Sequence, residues 1–193
     1  MEDTMSSTII NGIDYGPLAA LAGNWSGDKG LDIAPDDPGQ AKAAYFETIM
    51  FEAIGDVGNA KKQRLAVLRY HQVVSRKSDS EVFHNETGYW SWDADSKTVM
   101  HSLTIPRGLA LLAGGQWQDN GSDSVVIDVQ AAANDPDWGI TQSPFMRENA
   151  KTTGFMQHIE INGDTLNYSE TTKLDIYGRK FDHIDANTLT RDY

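Results

Sequence analysis

The sequence predicts an all-β fold, an up-and-down antiparallel β-barrel of about ten strands with a short helix near the N-terminus. Three observations carry that prediction. Apolar and polar residues alternate with period two along most of the chain, in runs rich in β-branched and aromatic residues such as Phe46 to Phe51, Val67 to Val74 and Val125 to Val129. Turn chemistry punctuates the runs at short intervals, at Asp93-Ala94-Asp95, Asp119-Asn120-Gly121, Asn162-Gly163-Asp164 and Tyr177-Gly178. Hairpin-linked strands in such number leave two exposed edges unless the sheet closes on itself. Closure is therefore favoured over a β-sandwich, and a barrel of this size commonly encloses a small-molecule cavity.

The elements follow in order. Residues 1–14 read as a flexible or loosely attached leading segment, and Leu18 to Leu21 as a short helical turn. Strands are expected near 22–33, 43–54, 64–75, 81–92, 97–105, 109–117, 123–132, 152–162, 165–175 and 180–191. Gly108, Gly114 and Gly115 flank an apolar strand and read as bulge or barrel-corner glycines. Only Asn134 to Ala150 breaks the rhythm. Its Asp-Pro-Asp, Trp138-Gly139 and Ser143-Pro144 read as a loop on the cavity rim, with one helical turn at Phe145 to Asn149. With no repeat, low-complexity tract or linker, the expectation is a single domain over 1–193, the barrel itself spanning about 18–191.

Composition narrows the function classes. The 193 residues suffice for a core that needs no staples. There is no cysteine, which excludes disulfides, thiolate metal sites and cysteine nucleophiles and is compatible with a reducing, cytoplasmic location. Twenty-eight acidic and 16 basic residues give a net charge of -12, which repels phosphate backbones and anionic lipid, so nucleic acid is not expected as a partner. Met1-Glu2-Asp3-Thr4-Met5 lacks the basic and apolar regions of a signal peptide, and no apolar run approaches the ~20 residues of a membrane span. The expectation is a soluble cytoplasmic protein, without membrane insertion, holding a small molecule in its cavity; a homodimer is compatible with this.

The histidines are His71, His84, His101, His158 and His183. No pair has zincin or zinc-finger spacing, so a zinc site would have to assemble from separate strands. No Gly-x-Ser-x-Gly elbow, Gly-x-Gly-x-x-Gly or P-loop occurs. On a strand, His84, Glu86, Gly88 and Trp90 share one face, and Phe83, Asn85, Thr87 and Tyr89 the other. A His–Glu pair on the inner face needs a ligand or each other, whereas on the outer face it is an ordinary surface pair. His183 shares a face with Phe181, Asp185, Asn187 and Leu189, which is not cleanly apolar, so alternation leaves its burial open. It is a candidate metal-cofactor ligand on the last strand of the chain.

The order of these pieces resembles the nitrobindin-like heme-binding β-barrel family, a relative of the fatty-acid-binding proteins in the calycin superfamily. Leu21-Ala22-Gly23-Asn24-Trp25-Ser26-Gly27-Asp28-Lys29 is similar to that family's opening Leu-x-Gly-x-Trp-x-Gly-x-Gly, and Tyr45-Phe46-Glu47-Thr48-Ile49-Met50-Phe51 to its aromatic-x-Glu-x-x-x-Phe strand. His84-Asn85-Glu86-Thr87-Gly88-Tyr89 resembles its His-x-Glu-x-Gly-Tyr strand, and Gly163-Asp164-Thr165-Leu166-Asn167-Tyr168 its Gly-Asp-x-Leu-x-Tyr hairpin. His183-Ile184-Asp185-Ala186-Asn187-Thr188-Leu189-Thr190-Arg191 is similar to its closing strand.

The resemblance implies heme b as cofactor and His183 as the proximal iron ligand. Phe83 and His84 would then lie near the opposite face of the ring, and Trp25 among the cofactor-binding residues. It further implies nitric oxide binding, or isomerisation of peroxynitrite to nitrate. The chain departs from the pattern at Lys29, where Gly30 follows one position late, at Phe83, where methionine is common, and at Gln157, where arginine is usual; the Asn134 to Arg147 loop is enlarged. Two other readings stand beside heme: a carrier of a fatty acid or other hydrophobic molecule, and a hydrolase or isomerase using His84 and Glu86 as an acid–base pair.

Overall fold

The computed structural model describes residues 7–193. A small hairpin, β1 (Ile9–Ile10) and β2 (Ile13–Asp14), leads into a 3-10 turn at Gly16–Ala20. The chain then runs through β3 (Gly23–Pro35), β4 (Gln40–Asn59), β5 (Gln63–Arg76), β6 (Val82–Asp93), β7 (Thr98–Ile105), β8 (Leu109–Gln116) and β9 (Val125–Ala132). After these come β10 (Ile140–Gln142), helix α1 (Pro144–Asn149), β11 (Ala150–Asn162), β12 (Thr165–Ile176) and β13 (Arg179–Asp192). All ten expected strands form.

The strands make one 11-stranded antiparallel sheet in the order β10-β8-β7-β6-β5-β4-β3-β13-β12-β11-β9, and a β8–β9 pairing closes it. The result is a closed ten-stranded barrel with β10 as an extra strand. The seam is narrow: β8 meets β9 at Gly114 and Gln130. A Cβ on Gly115 would collide with the Asp128 carbonyl of β9, and one on Gly114 with the Trp138 ring. The seam closes because neither position carries a side chain.

The structure differs from expectation at three places. Within the expected 134–150 loop, Ile140–Gln142 pairs with β8 as β10, and Ser143 caps the expected helical turn by accepting from the Met146 backbone N–H. Of the leading segment, residues 1–6 lie outside the described residues, whereas Ile9 to Asp14 form a hairpin about Asn11-Gly12, both in the left-handed region. Tyr15 then anchors this end, its hydroxyl accepting from the Gly55 N–H at 2.9 Å. The glycine that arrives one position late is explained by a β-bulge in β3 between Gly27 and Gly30, which lays the Tyr45 ring over Gly30 where any Cβ would strike it.

The core is asymmetric. Tyr15, Leu18 and Leu21 of the N-terminal turn pack with Trp25, Trp90 and Trp92 and plug one end of the barrel. The strand halves away from that plug line an open cavity. Among the described residues no helix is long and apolar enough to cross a membrane.

Candidate functional site

The cavity has a volume of about 550 Å³. Val74, Leu103, Leu109, Phe155 and Leu174 supply apolar wall, and Phe145 and Met146 of α1 lie at its mouth. Arg107 reaches it from the exposed turn between β7 and β8.

One polar cluster stands where β13 meets β3. Burial alternates along β13, and the inward face carries Phe181, His183, Asp185, Asn187 and Leu189. Asp185 sits directly across from Asp32 of β3. Two residues of one strand and one of its neighbour thus converge on the same wall. His183 Nε2 lies 2.6 Å from Asp32 Oδ1 and 3.3 Å from Asp185 Oδ2. Burial alone would depress the His183 imidazole, but its hydrogen bond to Asp32 and the two aspartate charges outweigh it and raise its pKa. Burial, with the charge of Asp32, pushes the Asp185 carboxyl up to about 6 against the opposing pull of His183.

A second cluster faces the cavity from β6. A bulge opposite Val74 and Ser75 leaves Phe83 as the extra residue, so Phe83 and His84 both enter the wall although strict alternation would set them on opposite faces. His84 Nε2 is 3.3 Å from Glu86 Oε2, and the Tyr70 hydroxyl donates to Glu86 Oε1 at 2.5 Å. Burial opposes charge on both, yet the pairing prevails: His84 is raised and Glu86 lowered. Glu170 of β12 is the opposite case. Burial, then the charges of Glu86, Asp185 and Glu47, hold its carboxyl well above the ordinary range, and Gln157 Nε2 at 3.3 Å brings no charge to offset them.

Beneath the cavity Glu47 accepts from Gln72 Nε2 at 2.6 Å, Asn187 Nδ2 at 2.7 Å and the Tyr168 hydroxyl at 3.0 Å, and Tyr168 is bonded in turn to Tyr45. Burial still pushes Glu47 up to about 7.

The residues expected at the site divide. His183, His84 and Phe83 line one cavity. Trp25 lies instead at the plugged end, its Nε1–H donating to the Leu21 carbonyl at 2.7 Å and the Arg191 guanidinium stacked on its ring at 4.2 Å. His71 and His158 are surface groups bonded to Asn85 and Asp128. His101 is core, stacked on Trp90 at 4.0 Å, and burial depresses its pKa to about 4. Sequence reasoning missed Asp32, Glu170 and Arg107. Of these only Glu170 had a readable signal, a carboxylate on the inward face of an alternating strand.

Comparison with known proteins gives three findings. A family model described as the THAP4-like, heme-binding beta-barrel domain matches residues 14–191. No match is found among curated proteins. Among solved structures, the crystal structure of Rv2717c from M. tuberculosis is similar with a TM-score of 0.69 and 24% sequence identity, over 91% of this chain and 95% of that chain. That likeness is one of fold.

Proposed function

The chain belongs to the THAP4-like heme-binding β-barrel domain family, and from that premise we propose that it binds heme b in the open half of the barrel with His183 as axial ligand to the iron. The carrying observation is His183 itself, an imidazole on the wall of a closed-barrel cavity and oriented by a carboxylate. Histidines that bind metals characteristically have such carboxylate support.

The cavity suits the group. Its volume of about 550 Å³ lies within the range of cofactor sites, roughly 300–1,000 Å³, and its wall is largely apolar. Arg107, exposed in the β7–β8 turn at the rim, is the permanent cation able to meet the propionates. From β6, Phe83 and His84 face the same space.

When bound, heme would supply an iron centre with one position left for a small ligand, for which we propose nitric oxide or peroxynitrite. The chain's own part is to hold and shield. His183 would hold the iron, the Val74, Leu103 and Phe155 wall would exclude water, and His84, 3.3 Å from Glu86, would face the same space. The fatty-acid reading is weaker, because it gives no role to the carboxylate-supported His183 on the cavity wall. Titration of the chain with hemin tests the proposal. A saturable Soret band at one heme per chain is expected, and the absence of saturation would rule it out.

A further inference from the structure

The Asp32–His183–Asp185 cluster holds more negative charge than an ion pair needs. Two carboxylates address one imidazole nitrogen, at 2.6 and 3.3 Å. They are direct cross-strand partners, an arrangement that destabilises a sheet when both are charged, and here it lies on a barrel's inner wall. The rest of the cavity makes the imbalance larger. Glu86 and Glu170 also line it, against Arg107 as the one lining residue with a permanent positive charge among the described residues.

The donor atoms are gathered as a cation requires. One nitrogen and two carboxylate oxygens lie within 4.8 Å of one another. Around an ion with bonds of ~2.0–2.2 Å, tetrahedral donors stand roughly 3.4 Å apart, close to the 3.3 Å between His183 Nε2 and Asp185 Oδ2 and wider than the 2.6 Å to Asp32 Oδ1. All three project from paired strands, not loops, which fixes their mutual placement. Three protein ligands opening onto a cavity leave a coordination position free, the arrangement of a reactive rather than a structural metal site. One imidazole with two carboxylates suits zinc, iron(II) or manganese(II). Copper(I) prefers sulfur ligands, and magnesium prefers oxygen alone.

We propose that, in the heme-free chain, Asp32, His183 and Asp185 bind one first-row divalent cation of the zinc class, and that this cation and heme exclude one another because both would occupy the same stretch of cavity wall. The site goes beyond the heme reading and is tested apart from it. Heme-free chain, stripped with chelator, is titrated calorimetrically with Zn²⁺ and, as contrast, with Mg²⁺. One Zn²⁺ per chain and no saturable Mg²⁺ binding are expected.

Asp32→Asn, which preserves shape, and His183→Ala should each weaken Zn²⁺ by about tenfold or more. His158→Ala, which removes an exposed histidine paired with Asp128, should leave it unchanged. The rise in melting temperature given by Zn²⁺ should vanish in Asp32→Asn, a readout that checks folding in the same scan. Unchanged affinity in Asp32→Asn, no saturation at one ion per chain, or loss of binding in His158→Ala would each overturn the site. Where hemin binds the wild type, it should release the ion; retention of zinc beside bound heme would refute the exclusion. A chain that never binds hemin would sink the heme proposal while the zinc stoichiometry still decides this one.

Discussion

Glu47 shows how far a carboxyl can be satisfied and still resist ionising. Three side chains donate to it, yet burial carries its pKa from 4.5 to about 7. Between those values the folded chain keeps a proton that the unfolded chain has lost. The stability from this group is therefore complete below about 4.5 and is lost as the pH rises through about 7. The full effect is of order 3 kcal/mol. Glu47→Gln should flatten the fall in urea midpoint between roughly pH 5 and pH 8. An unaltered slope would assign that fall to the other raised carboxyls, Glu170 and Asp185. At this scale the sequence was partly legible. His183 and His84 could be singled out by motif, but Asp32 could not, because its contact with His183 spans 151 positions and exists only once β13 pairs with β3. Alternation sets Phe83 and His84 on opposite faces without saying which is inward, whereas both line the cavity because a bulge adds a residue that alternation does not count.

The strands themselves were legible from period-two alternation, because each buries one face against a core and exposes the other to solvent. What escaped was short or irregular. β10 is three residues long, too few for a period to show, and lies between Trp138-Gly139 and Ser143-Pro144. The leading hairpin did carry a signal, the Asn11-Gly12 dipeptide that favours two-residue turns. The bulges at Gly27/Gly30 and at Val74/Ser75 have no sequence period at all, and both shape the cavity wall. Closure rests on a short element contact, the β8–β9 seam. Gly115→Ala drives a methyl into the Asp128 carbonyl of the neighbouring strand. A loss of about 1–3 kcal/mol is expected, read from denaturant unfolding, with faster amide exchange in β8 and β9 than in β4 and β5. Uniform exchange across the barrel would show that the seam is not where strain falls.

Over the whole molecule the plan is one plugged end and one open end. The N-terminal turn and the tryptophans fill the first, so apolar side chains in the opposite strand halves face a cavity instead of one another. That division could not be read from the sequence, where the same strand contributes to both ends: β13 gives Leu189 to the plug and His183 to the cavity. It also explains why Trp25, though part of the opening motif, takes no place in the wall. Its strand enters the barrel at the plugged end, and only the far part of that strand, with Asp32, reaches the ligand space. A chain of net charge -12 that gathers carboxylates in its cavity does not attract a dianionic porphyrin by its field. On the heme proposal, affinity would come from apolar burial, from Arg107 at the rim and above all from the proposed bond to His183. The most direct measurement is therefore the hemin complex of His183→Gly with and without added imidazole, followed by absorption and electron paramagnetic resonance. Loss of the wild-type signature and its return when free imidazole fills the space is the predicted result. A wild-type signature in His183→Gly without imidazole would contradict axial ligation by this residue.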